Sequence, residues 1–367
     1  MKTLKLTLAA LAALSISAYA QFLPGNLAVL RVGNGTETLS TGGNSSFIDQ
    51  YTTAGGYVNS VSIPNSGAGS VVLEGNRTAA AFLSLSADGQ YLTFAGYNAL
   101  PGNGGVSVQT SSGTAVPRVV GQVDMAGNFT LAASTTVGYS ANSFRSALTD
   151  GSGNYWGIGS SASLGGPYYM APGTPGYMQT SLVTFRAANI FNGNIYVGVT
   201  GSAGPGPGIY GFSGMPTGAA TPTQVIATGT GAGTDDFEFN PAMNIAYIAD
   251  DRAVASGGGI QKWTFDGTSW SLAYTIITGS PNGARGLAVD WSGVNPVVYA
   301  TTGETSAGTP NNLVGYVDTG VAGTATVLAT AGTSQFWRGL VLIPEPSAFA
   351  LLGLGVAGLL VIRRRNS

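Results

Sequence analysis

The sequence contains no cysteine and no histidine, and only 8% of its 367 residues are charged. Without cysteine the chain has no disulfide and no thiolate nucleophile, so its stability has to come from packing. Without histidine it lacks the commonest general base and metal ligand. Residues 21–343 carry a net charge of about −6. This acidic balance disfavours duplex nucleic acid as a partner.

Glycine, by contrast, is abundant. The 57 glycines, together with many threonines, serines and asparagines, are typical of an all-β chain with many turns. Aromatic residues make up 10% of the chain, and β-branched residues are plentiful. Disordered segments usually lack such apolar content, so the composition predicts a folded all-β domain.

The N-terminus has the three parts of a secretory signal peptide. Residues 1–5 include two lysines, and residues 6–16 are mostly apolar. Ala18, Tyr19 and Ala20 then form a small-x-small cleavage site, with Ala18 and Ala20 as the small residues. We therefore predict that the mature chain begins at Gln21. The alternative is an uncleaved N-terminal anchor.

The C-terminus carries a second signal. Pro344, Glu345 and Pro346 precede an uncharged run over residues 347–362, and three arginines follow: Arg363, Arg364 and Arg365. As a helix this run would be about 24 Å long, so it could cross a bilayer core of about 30 Å only with local thinning or snorkelling. The arginines predict a cytoplasmic end, with residues 21–343 on the far side. The alternative is a buried core helix.

This order of Pro-Glu-Pro, apolar helix and arginine cluster resembles the PEP-CTERM sorting signal, although Ile343 stands where that family usually has valine. The resemblance covers about the last 25 residues. It implies recognition by a membrane exosortase that cleaves near the motif and releases the protein or passes it to the cell surface. It also implies a Gram-negative bacterium that makes exopolysaccharide and often forms biofilm. The tail would then be in the inner membrane only transiently.

A two-strand unit recurs through residues 21–343. First strands are predicted to begin near residues 82, 144, 185, 237, 284 and 337, at spacings of 62, 41, 52, 47 and 53 residues. The clearest two copies lie at 144–157 and 185–197, and each contains a Gly-Asn pair between its two strands. Repeats of about 40–50 residues with about four strands each are typical of β-propeller blades.

The chain ends are predicted to complete one blade. The last first strand, residues 336–342, has no partner after it, and Leu27–Val32 can supply one. This closure would remove the open sheet edges and gives six blades, or seven if the 62-residue interval hides a degenerate blade. The competing fold is a β-sandwich. The predicted organisation is thus a signal peptide at 1–20, a propeller at 21–343 and a sorting signal at 344–367.

Four arginines share one position near the start of a predicted first strand: Arg145, Arg186, Arg285 and Arg338. Glu238 takes this position in a fifth unit and Leu83 in the sixth. In a propeller they would form a partial ring at one mouth of the channel. The ring would either capture an anion, such as a uronate or sulfate of an acidic polysaccharide, or pair with carboxylates to close the ring. The candidate structural partners are Asp150, Asp235, Asp236 and Asp250.

Two classes of function stay open. Asp235, Asp236 and Glu238 are oxygen ligands that could hold Ca²⁺, but no cofactor or metal is otherwise predicted. No nucleophile elbow or phosphate-binding loop occurs in the sequence. The chain is therefore predicted to be a non-enzymatic binding or structural propeller of the cell surface or matrix, linked to exopolysaccharide or biofilm. The alternative is a secreted carbohydrate-active hydrolase or lyase that uses paired carboxylates.

Overall fold

Six four-stranded antiparallel sheets, the blades, surround a central channel. The structure is a computed structural model that describes residues 21–160, 166–173, 175–179, 181–200, 206–304, 306 and 309–345. From the channel outwards, three blades contain β24 (Phe336–Leu342), β1 (Leu27–Val32), β2 (Ser46–Tyr51) and β3 (Tyr57–Ser62); β4 (Leu83–Leu85), β5 (Tyr91–Tyr97), β6 (Arg118–Asp124) and β7 (Phe129–Thr135); and β8 (Ser143–Thr149), β9 (Tyr155–Ser160), β10 (Tyr168–Ala171) and β11 (Gly176–Tyr177). The other three contain β12 (Phe185–Phe191), β13 (Asn194–Val199), β14 (Gly208–Gly211) and β15 (Thr223–Ala227); β16 (Thr234–Phe239), β17 (Ile245–Asp250), β18 (Gly259–Phe265) and β19 (Trp270–Ile276); and β20 (Ala284–Asp290), β21 (Val297–Thr302), β22 (Asn312–Val317) and β23 (Thr326–Thr330).

The burial of each strand follows its distance from the channel. Every residue of β1 is buried, and its sequence is accordingly a continuous apolar run broken only by Arg31. The outermost strands β3 and β23 consist mostly of exposed or half-buried residues. A strand that is covered on both faces can be apolar throughout, whereas a strand with a solvent-exposed face carries polar residues as well. This is why β1 is an apolar run while β3 and β23 contain serine or threonine.

The hairpin between β12 and β13 shows how the turns form. Asn192 and Gly193 both have positive φ, +48° and +73°, which is the pair of left-handed residues that a two-residue hairpin needs. The sequence pattern placed this turn at Gly193-Asn194. The structure moves it one residue earlier, so that Asn194 begins β13.

The chain ends complete one blade, as predicted. β24 pairs antiparallel with β1, and the Ile343 N–H donates to the Asn26 carbonyl at 2.8 Å. The residues before β1 are held as well, because the buried Gln50 side chain donates to the Gln21 carbonyl at 2.7 Å. The ring is therefore closed by main-chain hydrogen bonds between the two ends of the described chain.

The six-blade prediction is confirmed, and the seven-blade and sandwich alternatives are wrong. The 62-residue interval contains no further blade. Its extra length lies in the loop 98–117, which connects β5 to β6. The inner strands follow one another around the channel in the order β4, β8, β12, β16, β20 and β24, each in contact with the next. A sandwich would instead stack two sheets face to face.

Both predicted terminal helices lie outside the described residues. This applies to the signal segment with Ala18 and Ala20, and to the tail from Pro346 through Arg363, Arg364 and Arg365. Within the ranges given above, no helix is long and apolar enough to cross a bilayer.

The hydrophobic core lies between neighbouring blades. Phe336 on β24 is fully buried in the cluster that joins the closing blade to the β4 blade. We expect Phe336→Ala in the mature protein to lower the free energy of unfolding by about 3–5 kcal/mol, because it leaves a cavity at the closure. The measurement is a urea unfolding curve.

The matched control for this substitution is Val327→Ala on the outer strand β23, where the side chain is 51% exposed. It should change the free energy of unfolding by less than about 0.5 kcal/mol. Equal effects of the two substitutions would contradict a stability that depends on ring closure.

Candidate functional site: the two ends of the central channel

A β-bulge near the start of five inner strands shapes one end of the channel. One extra residue falls between Phe144 and Ser146 of β8, and similar register shifts occur in β12, β16, β20 and β24. A bulge bends its strand and redirects a side chain. These bulges hold Arg145, Arg186, Arg285 and Arg338, so the structure brings the four predicted arginines together at one end, called here the arginine end.

The fifth position is occupied differently from the prediction. In β16 the shift lies between Thr234 and Phe237, so the bulge contains Asp235 and Asp236. Asp235 therefore takes the place of the arginines, and Glu238 lies three residues further along the strand. The predicted repeat matched Phe237 to Phe185, whereas the strand pairing matches Thr234 to Phe185. Leu83 of the sixth unit lies at the start of β4.

Two of the arginines face carboxylates. Arg285 donates from Nε and Nη2 to Oδ2 of Asp251 at 3.2 and 3.1 Å. Arg186 Nε lies 3.5 Å from Oδ1 of the fully buried Asp235. Of the four aspartates named as candidate partners, Asp235 is the one that forms an ion pair with the ring. Asp250 instead pairs with Arg252 at 2.6 Å.

The other two arginines donate to main-chain carbonyls. Arg145 donates to the Phe185 carbonyl at 3.0 Å, and Arg338 donates to those of Glu74 and Gly75 at 3.0 and 3.1 Å. Burial, and then the neighbouring arginines, lower the pKa of Arg145 and of Arg338 to about 9. These guanidinium groups are thus shielded from water and donate to main-chain carbonyls of the protein.

A segment between β3 and β4 crosses the arginine end. Residues 74–81 accept from Arg338 on β24 and from Arg186 on β12, which lie on opposite sides of the six-stranded ring. Gly339 allows the end of this segment to lie close to β24, because its N–H donates to the Ala81 carbonyl at 3.2 Å and a Cβ there would lie 2.1 Å from the Leu83 nitrogen. The contacts at this end favour the structural alternative, in which the arginines close the ring.

We expect Asp251→Asn to lower the free energy of unfolding by about 2–3 kcal/mol, below the roughly 3–5 kcal/mol typical of fully buried pairs. The substitution leaves Arg285 without its counter-charge while keeping the shape of the side chain. The control is Asp266→Asn in an exposed turn, with an expected effect under about 0.5 kcal/mol. Both values come from urea unfolding, and a negligible effect at Asp251 would argue against a structural ion pair.

The channel narrows beyond the bulges. Ser84 on β4 donates from Oγ to the Ala188 carbonyl on β12 at 3.0 Å, although β8 lies between these two strands in the ring. Past this point the channel opens into a cavity of about 820 Å³. The contact between Ser84 and Ala188, called here the constriction, therefore separates the arginine end from this space, which is called here the cavity.

The cavity is lined mainly by apolar side chains from the second halves of the inner strands. Its walls come from β4, β12, β16, β20 and β24, and the principal apolar side chains are Phe22, Leu85, Ile190, Phe191, Val289 and Leu342. Pro24, Asp88, Gln90 and Glu345 are exposed where the cavity opens. The volume is in the range of small-molecule sites, which are mostly apolar with a few convergent polar groups.

Two carboxyl groups of β16 are the principal polar groups inside. Asp236 Oδ2 accepts from the Leu287 N–H at 3.0 Å, and Oδ1 accepts from the Phe237 N–H and from Asn189 Nδ2 at 2.9 and 3.2 Å. Glu238 is half-buried and its carboxyl group forms no hydrogen bond or ion pair with the described residues. Two residues apart on one strand, both carboxyl groups lie on the same face.

Both carboxyl groups hold a proton more strongly than usual. Burial raises the pKa of Asp236 to about 7. Burial, and then the charge of Asp236, raise the pKa of Glu238 well above its usual range. Both carboxyl groups therefore keep a proton to higher pH than a solvent-exposed carboxyl group does.

The sequence predicts Asp235, Asp236 and Glu238 as candidate Ca²⁺ ligands, but it does not predict that Asp236 and Glu238 share a cavity. The structure turns Asp235 towards Arg186, and within the described ranges no group of three or more acidic side chains could hold a metal ion. The signal in the sequence that could have indicated the pair is the spacing of Asp236 and Glu238, two residues apart on a strand predicted to line the channel.

The sorting motif begins where the cavity opens. β24 ends at Leu342, and the exposed Pro344 and Glu345 contribute to the cavity lining. Glu345 lies against Gly25, where a Cβ would be 2.6 Å from its Oε1. The last blade is thus complete before the motif starts.

Comparisons with known proteins agree with the sorting motif and with the propeller fold. The model of the PEP-CTERM protein-sorting motif matches residues 342–365, so the chain carries this sorting signal of exported Gram-negative proteins, which implies processing by an exosortase-type enzyme. No curated protein matches the chain significantly.

Solved structures with a similar fold are distant in sequence. A chain of the nidogen/laminin complex is 12% identical with a TM-score of 0.50, covering 87% of this chain and 100% of that chain. TolB from Acinetobacter baumannii is 10% identical with a TM-score of 0.48, covering 86% and 67%. A gluconolactonase from Xanthomonas campestris is 10% identical with a TM-score of 0.43, covering 86% and 87%. At 12% identity and a TM-score of 0.50, the likeness to the chain of the nidogen/laminin complex is one of fold alone.

The raised pKa of Glu238 gives a pH dependence with a defined sign. The unfolded chain releases this proton near its ordinary pKa of about 4.3, whereas the folded protein keeps it to higher pH. Stability from this group is therefore greatest below pH 4 and is lost as the pH rises towards the folded pKa. Because glutamine does not titrate, Glu238→Gln should gain stability relative to the parent between pH 4 and pH 8, by about 1.4 kcal/mol for each unit of the shift.

Urea unfolding at pH 4, 6 and 8 measures this difference. The control is Val327→Ala on the outer strand β23, which changes no titratable group. It should give a difference from the parent that does not change with pH. A constant difference for Glu238→Gln as well would show that the Glu238 carboxyl is not desolvated by folding.

Proposed function

We propose that the chain is an exported, exosortase-processed protein of the cell surface or extracellular matrix. It acts there as a non-enzymatic binding propeller linked to exopolysaccharide, and the cavity is its binding site. The observation that carries the proposal is the cavity itself, an opening of about 820 Å³ with apolar walls and two carboxyl groups at the end of the channel. At the other end, the four arginines are engaged with protein groups.

The position of the motif supports processing without loss of the fold. Ile343 is buried and hydrogen-bonded to residues before β1, whereas Pro344 and Glu345 are exposed. Cleavage at or after Pro344 removes no strand and leaves the β24–β1 pairing intact. The proposed mature protein is therefore the closed ring from Gln21 to the motif.

A second candidate is a secreted carbohydrate-active hydrolase or lyase. The pair of Asp236 and Glu238 favours it, because two carboxyl groups in one cavity, both with raised pKa values, can supply the acid and the base of glycoside hydrolysis. Their Cα atoms, two residues apart on a strand, are about 7 Å from each other. The lack of histidine and of a compact catalytic motif argues for the binding protein.

Mass spectrometry of the exported protein tests the sorting part. The mature chain should begin at Gln21 and end near the motif. Replacing Pro344, Glu345 and Pro346 with alanine should leave the tail in place because the recognition sequence is lost. The control Asp88→Ala, exposed where the same cavity opens, should be processed normally. A parent chain that still ends at Ser367 after export would refute processing.

A glycan array and a turnover screen on acidic and neutral polysaccharides separate the two candidates. The binding proposal expects retention without turnover, weakened by Ile190→Trp, which fills the cavity, and unchanged by Val327→Trp on the outer surface. Turnover that is abolished by Glu238→Gln would instead establish the hydrolase. Retention that Ile190→Trp does not weaken would place the binding site elsewhere.

A further inference from the structure

The described titratable residues that line the cavity are all acidic. Four acidic residues contribute to its lining: Asp88, Asp236, Glu238 and Glu345. None of the described lining residues is a lysine or an arginine. The ring arginines lie at the other end of the channel, beyond the constriction between Ser84 and Ala188. An anionic ligand would thus meet carboxyl groups without a compensating base, so an acidic polysaccharide is a poor occupant.

Among the described residues, the Glu238 carboxyl has no hydrogen-bond or ion-pair partner, and a ligand could supply one. The oxygens of Asp236 accept hydrogen bonds from Leu287, Phe237 and Asn189. The Glu238 carboxyl has none of these interactions with the described residues, and it contributes to the cavity lining. A desolvated polar group without a partner is costly, and a positively charged donor is its strongest partner.

The apolar walls of the cavity favour a ligand whose remaining part is apolar. The side chains of Phe22, Leu85, Ile190, Phe191 and Val289 give an apolar surface, and aromatic rings also favour a nearby cation. A bare divalent ion needs several oxygen ligands, and no three acidic side chains among the described residues lie close enough together to hold a metal ion. A cation that carries its own apolar body fits both the walls and the carboxyl groups.

We propose that the cavity binds an organic cation, an ammonium group on an apolar body, with Glu238 as its counter-charge. This inference rests on the proposed binding function and names its ligand class. The ammonium group lies at the carboxyl pair of β16, and the apolar body lies against the walls from β4, β12, β20 and β24.

Binding of the cation is coupled to loss of a proton. Asp236 on the same strand is the nearest titratable neighbour of Glu238, and Asn189 on β12 is neutral. The described lining from β4, β20 and β24 carries no titratable side chain, while Asp88 and Glu345 are exposed where the cavity opens. A bound ammonium group stabilises ionised Glu238, so the affinity should rise with pH across the range in which the free protein still holds this proton.

Three probes of similar size and different charge test the inference. Calorimetry of the mature protein uses 2-phenylethylammonium, 2-phenylethanol and 3-phenylpropionate between pH 5 and pH 8, where an alkyl ammonium remains protonated. The ammonium compound should bind at least about tenfold more tightly than the alcohol, increasingly so as the pH rises. The carboxylate should bind most weakly.

The variants localise the effect. Glu238→Gln should remove the preference for the ammonium compound and leave the alcohol's affinity within about twofold, whereas Glu238→Asp should keep the preference because the charge remains. Ile190→Trp should weaken both ligands, and Val327→Trp neither. A thermal melt of each variant confirms that it is folded.

The outcomes separate this inference from the proposed function. Equal or tighter binding of the alcohol or carboxylate, lost in Ile190→Trp, would overturn the cation and keep the cavity as a binding site. A preference for ammonium that survives Glu238→Gln would overturn the role of Glu238. No binding of the ammonium compound up to about 10 mM would also overturn the inference, and the glycan array then decides the binding function by itself.

Discussion

The antiparallel pairing of β24 with β1 is the constraint on which the rest of the structure depends. Each blade buries its inner strands only if both neighbouring blades are present, and the ring of neighbours is complete only when the two ends of the chain share a sheet. The chain has no disulfide to hold its ends together. The main-chain hydrogen bonds that Ile343 makes with Gly25 and Asn26 therefore join the chain ends, as a disulfide does in smaller exported domains.

This closure also relates the fold to the sorting signal. Since β24 ends at Leu342, the sorting motif follows directly at the opening of the cavity. The protein thus has two unlike channel ends. One is closed by buried arginines and by residues 74–81, and the other is open and acidic beside the start of the tail. Any ligand of the cavity would enter on the side from which the tail departs.

The propeller could be predicted from the sequence because its signals are local and repeated. Inner strands buried on both faces read as apolar runs, such as Leu27–Val32, and their spacing gives the blade count. The blade register could not be predicted everywhere. A bulge inserts one residue into the ladder without any mark in the apolar pattern, so the predicted repeat put Glu238 where the structure has Asp235. For the same reason the sequence showed the arginines as a set but not their partners, which come from distant segments such as residues 74–81.

The sequence alone determined the destination of the protein, its all-β class and a propeller of six or seven blades, because sorting signals and strand patterns consist of adjacent residues. The tertiary structure alone decided the chemistry of the channel. It placed Arg145 and Arg338 against main-chain carbonyls, and it left the Glu238 carboxyl at an apolar cavity without a partner among the described residues. Burial and charge at a channel depend on what the other five blades bring to the same place, and no single stretch of the chain contains that information.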